Sequence, residues 1–169
     1  MMIINNKMSE CLNIMYARGY TMIKECENYI LMNDTNDEHV IIFNCDESLT
    51  IHNMKLYLQI MSQHNIKHSI IIYKDKVTPS AKKIITISSE FIIEIFTYDE
   101  MSINITNHKY YFPHIKVDDT IKQNLLDKYG KHLPIILKSD PVVRYLNFKK
   151  GDILKIIRKD DFIHYRLVK

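Results

Sequence analysis

The chain has 169 residues, 46% hydrophobic and 25% charged, with a formal net charge of +3. That balance fits a soluble globular protein of one domain or two small ones and excludes a disordered chain. No apolar run is long enough to span a membrane, and Met1-Met2-Ile3-Ile4-Asn5-Asn6-Lys7 lacks the apolar core of a secretion signal.

Cys11, Cys26 and Cys45 are odd in number and widely spaced, which fits a reducing compartment and no disulfide framework. The glycosylation patterns at Asn33-Asp34-Thr35 and Asn104-Ile105-Thr106 then read as chance. Charge is unevenly placed. Residues 138–169 carry 9 basic and 4 acidic side chains, a surplus of +5, and the rest of the chain is at −2. Such a surplus suits an acidic partner surface or nucleic acid, and equally the solvated face of a small sheet.

In chain order, Met8, Cys11, Leu12, Met15 and Tyr16 recur at helical spacing, and Gly19 after Arg18 is placed as a C-terminal cap. Met22, Ile23, Cys26 and Ile30 predict a second helix over 22–30, followed by a polar turn over 33–38. Residues 39–44 read as a buried strand. Thr50 caps a helix with Ile51, Met54, Tyr57, Leu58 and Met61 on one face, stopping near Asn65. Residues 69–73 are a second strand, Thr78-Pro79 opens a short helix through Lys82 and Lys83, and residues 90–96 are a third strand. This order is α/β, with strands joined through helices parallel at least in part.

Residues 99–114 are polar, lack clean periodicity and read as a join. Asp118 or Asp119 then caps a helix with Ile121, Leu125 and Leu126 inward, ending at Tyr129-Gly130. Ile135-Ile136-Leu137 reads as a short buried strand. Asp140 caps a short helix whose first position is Pro141, where a missing N–H costs nothing, and Asn147 ends it. Lys149-Lys150-Gly151-Asp152 is a turn. Residues 153–157 are a strand with Lys155 interrupting an apolar run, and residues 153–158 pair as a hairpin with residues 162–168 across a tight turn at Asp160-Asp161. Ile163, Tyr165 and Leu167 alternate there with His164 and Arg166. This second unit reads as α/β or α+β.

No catalytic constellation emerges. A nuclease site needs a carboxylate after one strand and an acid two residues before a Lys on the next, because alternate strand residues share a face. Asp46 could supply the first carboxylate, but no Lys in the chain has Asp or Glu two residues earlier, and Asp75-Lys76 is adjacent. His64 and His68 are four apart, yet the helix is predicted to end between them and no Cys-x-x-Cys accompanies them. His108 and His114 read as structural, and there is no glycine-rich phosphate loop. An Asp140–Arg144 pair would contribute only about 0.2–0.5 kcal/mol. No metal site or cofactor is predicted.

Several short motifs in order carry a resemblance. Asn104-Ile105-Thr106-Asn107-His108 and Phe112-Pro113-His114 are followed by Leu133-Pro134-Ile135-Ile136 and Ser139-Asp140-Pro141-Val142-Val143-Arg144-Tyr145. Lys149-Lys150-Gly151, Lys155-Ile156-Ile157-Arg158 and Tyr165-Arg166-Leu167-Val168 complete the series. The chain thereby resembles the family of the fifth-largest subunit shared by eukaryotic nuclear RNA polymerases, whose C-terminal assembly domain is similar to its archaeal polymerase counterpart. Arg18-Gly19-Tyr20 and Thr78-Pro79-Ser80-Ala81-Lys82-Lys83 look like stretches of the same family's N-terminal jaw. The family's Arg-Pro-Ser-Glu-Thr loop is replaced here by Arg158-Lys159-Asp160-Asp161.

The resemblance implies a restriction-endonuclease-like jaw over 1–104 and an assembly domain over 105–169. The function implied is that of a non-catalytic polymerase subunit without a cofactor. It also implies docking on the largest subunit through Ser139, Asp140, Pro141, Arg144, Tyr145, Lys149, Lys150, Gly151, Arg158 and Arg166, with other polymerase subunits as further partners. Arg18, Lys82 and Lys83 are the implied neighbours of downstream duplex DNA, contacted weakly and without sequence preference; no membrane is implied. The nucleus is expected for a cellular protein, and host cytoplasm or virion for a viral one. The alternative is a free-standing nucleic-acid-binding or adaptor protein on the same fold.

Overall fold

The computed structural model describes residues 6–159 and 162–169; the turn expected at Asp160-Asp161 and residues 1–5 lie outside the described residues. Two compact units divide the chain, Met1–Ile103 and Asn104–Lys169.

In the first unit, α1 (Asn6–Ala17) precedes a hairpin of β1 (Thr21–Glu25) and β2 (Tyr29–Asn33). Then follow β3 (His39–Cys45), α2 (Ile51–Gln63), β4 (His68–Tyr73), α3 (Pro79–Ile87) and β5 (Ile92–Thr97). The five strands lie in sequence order, antiparallel from β1 to β3 and parallel from β3 to β5. The strand–helix–strand reading thus corresponds to a mixed α/β fold. β3 and β4 are near-continuous apolar runs because both faces of the sheet are covered. Ile41, Phe43 and Ile71 pack with Met54, Tyr57 and Met61 of α2 and Ala81 of α3, with the Phe43 and Tyr57 rings stacked at 4.2 Å. The alternate set, Val40, Ile42, Ile70 and Ile72, is buried as well.

The helix predicted over 22–30 is instead the β1–β2 hairpin. Ile30 and Met32 are buried while Tyr29, Leu31 and Asn33 are half-exposed, a period of two that pairing with β3 enforces. Met22 and Ile23, read as a buried helical face, are exposed on the edge strand, where the register shifts between Met22 and Lys24. Tyr16, Ile51 and Ile121 also fall outside the buried faces assigned to them.

In the second unit, a 3-10 turn (Ile105–Asn107) leads to β6 (His114–Lys116), α4 (Asp119–Tyr129), β7 (Ile135–Ile136), α5 (Pro141–Tyr145), β8 (Ile153–Ile157) and β9 (Ile163–Val168). The strand order is β6-β8-β9-β7. β8 pairs antiparallel with β6 and β9, and β7 runs parallel to β9. One face of the sheet packs Leu154, Ile156 and Val168 against Val143 of α5. The other packs Ile153 and Leu167 against Leu125 and Leu126 of α4. β6 arises inside the segment read as a join. β7 is shorter than the expected strand, with Leu137 exposed. The expected alternation in β9 is blurred, since His164 through Leu167 are all half-buried.

Arg18 is not at the surface. Its side chain is 4% exposed, and Nη2 donates to Glu94 Oε2 at 2.8 Å. The guanidinium lies 5.3 Å from the Tyr20 ring and 5.6 Å from Phe96. His68 Nε2 donates to the other Glu94 oxygen at 2.7 Å. A basic residue closing α1 complements the negative end of the helix, and here it reaches the sheet in place of phosphate. Burial alone would raise the Glu94 pKa, but the His68 hydrogen bond and the Arg18 charge outweigh it and hold the carboxyl below its ordinary value.

The folded carboxyl therefore binds its proton less readily than the unfolded one. Its contribution to stability is complete above the ordinary value of 4.5 and falls away as pH drops through the lowered folded value. Urea unfolding across acid pH is expected to show that loss in the parent protein and to lack it in Glu94→Gln. At neutral pH the substitution removes the Glu94 charge from the buried Arg18 pair and is expected to cost about 3–5 kcal/mol.

Candidate docking interface

The candidate face begins where β7 ends. Asp140 Oδ1 accepts the backbone N–H of Val142 at 2.9 Å and of Val143 at 3.3 Å, so the first turn of α5 is capped as its sequence predicts. The helix then closes in a Schellman motif. Asn147 adopts φ 52°, its N–H donates to Arg144 O at 3.0 Å, and the Phe148 N–H donates to Val143 O at 3.0 Å. Phe148 also packs on the cluster that contains Val143, the apolar contact that accompanies the motif.

The Lys149–Gly151 turn is tied to the end of β9. Gly151 N donates to Val168 O, and Val168 N to Asp152 O, each at 2.9 Å. Asp152 is 7% exposed; its Oδ2 accepts the Lys149 N–H at 2.7 Å and its Oδ1 meets Lys116 Nζ at 2.9 Å. That hydrogen bond and the Asp152 charge raise the Lys116 pKa. Sequence reasoning placed Asp152 in a turn and missed the pair, because Lys116 lies on the distant strand β6.

The fold brings Ser139, Asp140, Pro141, Arg144, Lys149, Lys150 and Gly151 into one helix–turn segment. Ser139, Pro141, Lys149 and Lys150 are exposed, and Asp140, Arg144 and Gly151 half-buried. Three expected partner residues lie outside that segment or have their side chains engaged within the unit. Tyr145 is 5% exposed and its hydroxyl donates to Asn104 Oδ1 at 3.2 Å, which makes it core. Arg166, on β9, donates from Nη1 to Ile135 O at 3.2 Å and straps β7. Arg158 follows the far end of β8, roughly 20 Å of extended strand from Gly151, with its guanidinium 5.7 Å from the Phe112 ring.

In the first unit, Lys82 and Lys83 are exposed on α3, whose N-terminus Thr78 caps through the Ala81 N–H at 3.3 Å. Asp46 accepts the Tyr98 hydroxyl at 2.9 Å, and Tyr98 also reaches Asn44; burial, then the Asp46 hydrogen bond, push the phenol pKa up. His64 and His68 have separate engagements, with Tyr29 at 2.7 Å and Glu94 at 2.7 Å. Neither arrangement assembles a nucleophile, base and phosphate site.

Residues 103–168 match the family described as RNA polymerase Rpb5, C-terminal domain. A Caenorhabditis briggsae protein, DNA-directed RNA polymerases I, II, and III subunit RPABC1, is 34% identical over 143 residues, which cover 80% of this chain and 68% of the relative. The Caenorhabditis elegans protein of the same name matches with the same identity and coverage. Among solved structures, an ATP-dependent Type ISP restriction-modification enzyme, LlaBIII, bound to DNA overlaps 76% of this chain and 10% of its own length, at 14% identity and a TM-score of 0.45. An overlap of that quality carries no argument about fold or function.

Gly151 has φ 90°, and a Cβ built there meets nothing within 4 Å, so any penalty for substitution is conformational. Gly151→Val is expected to cost about 1–3 kcal/mol and to lower the melting temperature of the isolated protein. An unchanged melting temperature would mean that the turn does not require its left-handed residue.

Proposed function

The chain belongs to the Rpb5 family of DNA-directed RNA polymerase subunits, and from that premise we propose that it docks on the largest polymerase subunit through the Ser139–Gly151 face. The observation that carries this reading is the pre-ordered helix–turn segment itself, capped at both ends and lying wholly within the family-matched residues. A rigid, basic projection loses little conformational freedom on binding. The protein acts in transcription as part of a polymerase complex, as an accessory subunit in the nucleus, with the active site in the large subunits.

The first unit is proposed as a restriction-endonuclease-like jaw near downstream duplex DNA. Its parallel β3–β4–β5 core with connecting helices supports that placement, as do Lys82 and Lys83. The unit as a whole carries 9 basic and 13 acidic residues, so contact with phosphate is local to α3, weak and readily screened.

Purification of the protein from its source tests the central reading. It is expected to co-migrate with the two large polymerase subunits, and isolation alone would favour a free-standing protein. Arg144→Ala is expected to weaken recovery with tagged largest subunit by about 1–3 kcal/mol. A variant that melts and assembles like the parent removes Arg144 from the interface.

For the jaw, Lys82→Ala and Lys83→Ala are expected to make the salt dependence of duplex binding shallower, by about 0.9 in log–log slope for each phosphate no longer neutralised. Slopes unchanged in both variants place the DNA contact elsewhere. The purified protein is expected not to cut DNA or RNA in Mg²⁺ or Mn²⁺; cleavage abolished by Asp46→Ala would overturn the non-catalytic assignment.

A further inference from the structure

Residues 104–169 carry 14 basic and 7 acidic side chains, and β6, β8 and β9 contain no acidic residue at all. The register places His114 and His164 on either side of Ile156, so both imidazoles project from the same face of the sheet. This is the end of the face away from the Gly151 turn. The Arg158 N–H donates to Phe162 O at 2.9 Å and extends the β8–β9 ladder. Phe162 is 66% exposed, with its ring 5.3 Å from His164. In the loop before β6, Tyr110 is 67% exposed, with Lys109 Nζ 4.8 Å from its ring centroid. Tyr111 lies 6.1 Å from the His114 ring and joins this loop to the sheet.

Tyr110, two-thirds in water beside Lys109, and Phe162, two-thirds in water beside the His164 imidazole, leave ring faces open to a ligand. Duplex DNA satisfies the cations alone, since its bases are stacked inside and present no free face. An acidic peptide has the same limit. An unpaired nucleic-acid strand supplies both components, phosphate for Arg158 and Lys109 and base faces for Tyr110, Phe162 and the two imidazoles.

We infer that this end of the C-terminal sheet is a binding surface for single-stranded nucleic acid, with Tyr110 and Phe162 as stacking platforms and Arg158 and Lys109 as phosphate contacts. The surface is separate from the Ser139–Gly151 segment and does not depend on the docking reading.

Fluorescence anisotropy of the full-length protein tests it, with labelled oligo(dT) and oligo(U) of about twenty nucleotides and a duplex of equal length as probes. Single strands are expected to bind more tightly than the duplex, in spite of its higher charge density. Tyr110→Ala and Phe162→Ala are each expected to weaken single-strand binding about tenfold or more while leaving the melting temperature unchanged. Equal affinity for duplex and single strand, parental affinity in both aromatic variants, or displacement of oligo(dT) by polyglutamate of equal charge would overturn the inference, as would no binding at about 50 mM salt.

Discussion

Asp152 is a carboxylate drawn out of water, and much of the second unit is aligned through it. Burying an ionised carboxyl without partners costs several kcal/mol, so its surroundings are constrained to supply donors. Lys116 supplies one from β6, and the Lys149 N–H supplies another from the turn. The backbone of the same residue pairs with Val168 at the end of β9. An edge strand, a turn and the last strand are therefore held to each other at a single residue. Lys149 and Lys150 inherit their position from this arrangement.

The same economy governs helix ends. α5 has five residues, far below the length at which a helix is stable alone. It exists because Asp140 takes up N–H groups at one end and the Schellman closure takes up carbonyls at the other. α1 and α2 end in the same way, at Gly19 and Asn65, with the N–H of Tyr20 donating to Met15 O and that of Ile66 to Met61 O. At Gly19 a Cβ would lie 2.7 Å from Thr35 Cγ2, so crowding and conformation both demand glycine there. Three helices thus stop where a residue tolerant of positive φ permits the chain to turn, and each stop aims the next segment.

These stops, and the caps at Thr50, Thr78, Asp118 and Asp140, were legible in the sequence because their chemistry is local. The helix–turn segment over Ser139–Gly151 was legible for the same reason, since its residues are contiguous. What could not be read depends on pairing between distant residues. The 22–30 segment has apolar positions compatible with either period, and only the neighbouring β3 selects a period of two. β6 is three residues long and becomes a strand through β8 alone. The Asp152–Lys116 pair and the Tyr145–Asn104 hydrogen bond, which spans 41 residues, leave no local trace. Tyr145, which the resemblance assigns to a partner, is accordingly 5% exposed.

Arg18 and the acids of the second unit expose the same difficulty in reading charge. A count of basic residues treats Arg18 as available to phosphate, yet Glu94 and two aromatic rings surround it. In the second unit the effect runs the other way. Asp118 and Asp140 face helix N–H groups, and buried Asp152 pairs with the exposed Lys116. Negative charge that a count subtracts from the total is thus partly neutralised by the fold. Lys149, Lys150, Arg158 and Lys159 remain exposed. The surplus of basic side chains in this unit is thus presented at its surface, while Asp118, Asp140 and Asp152 are engaged within the fold.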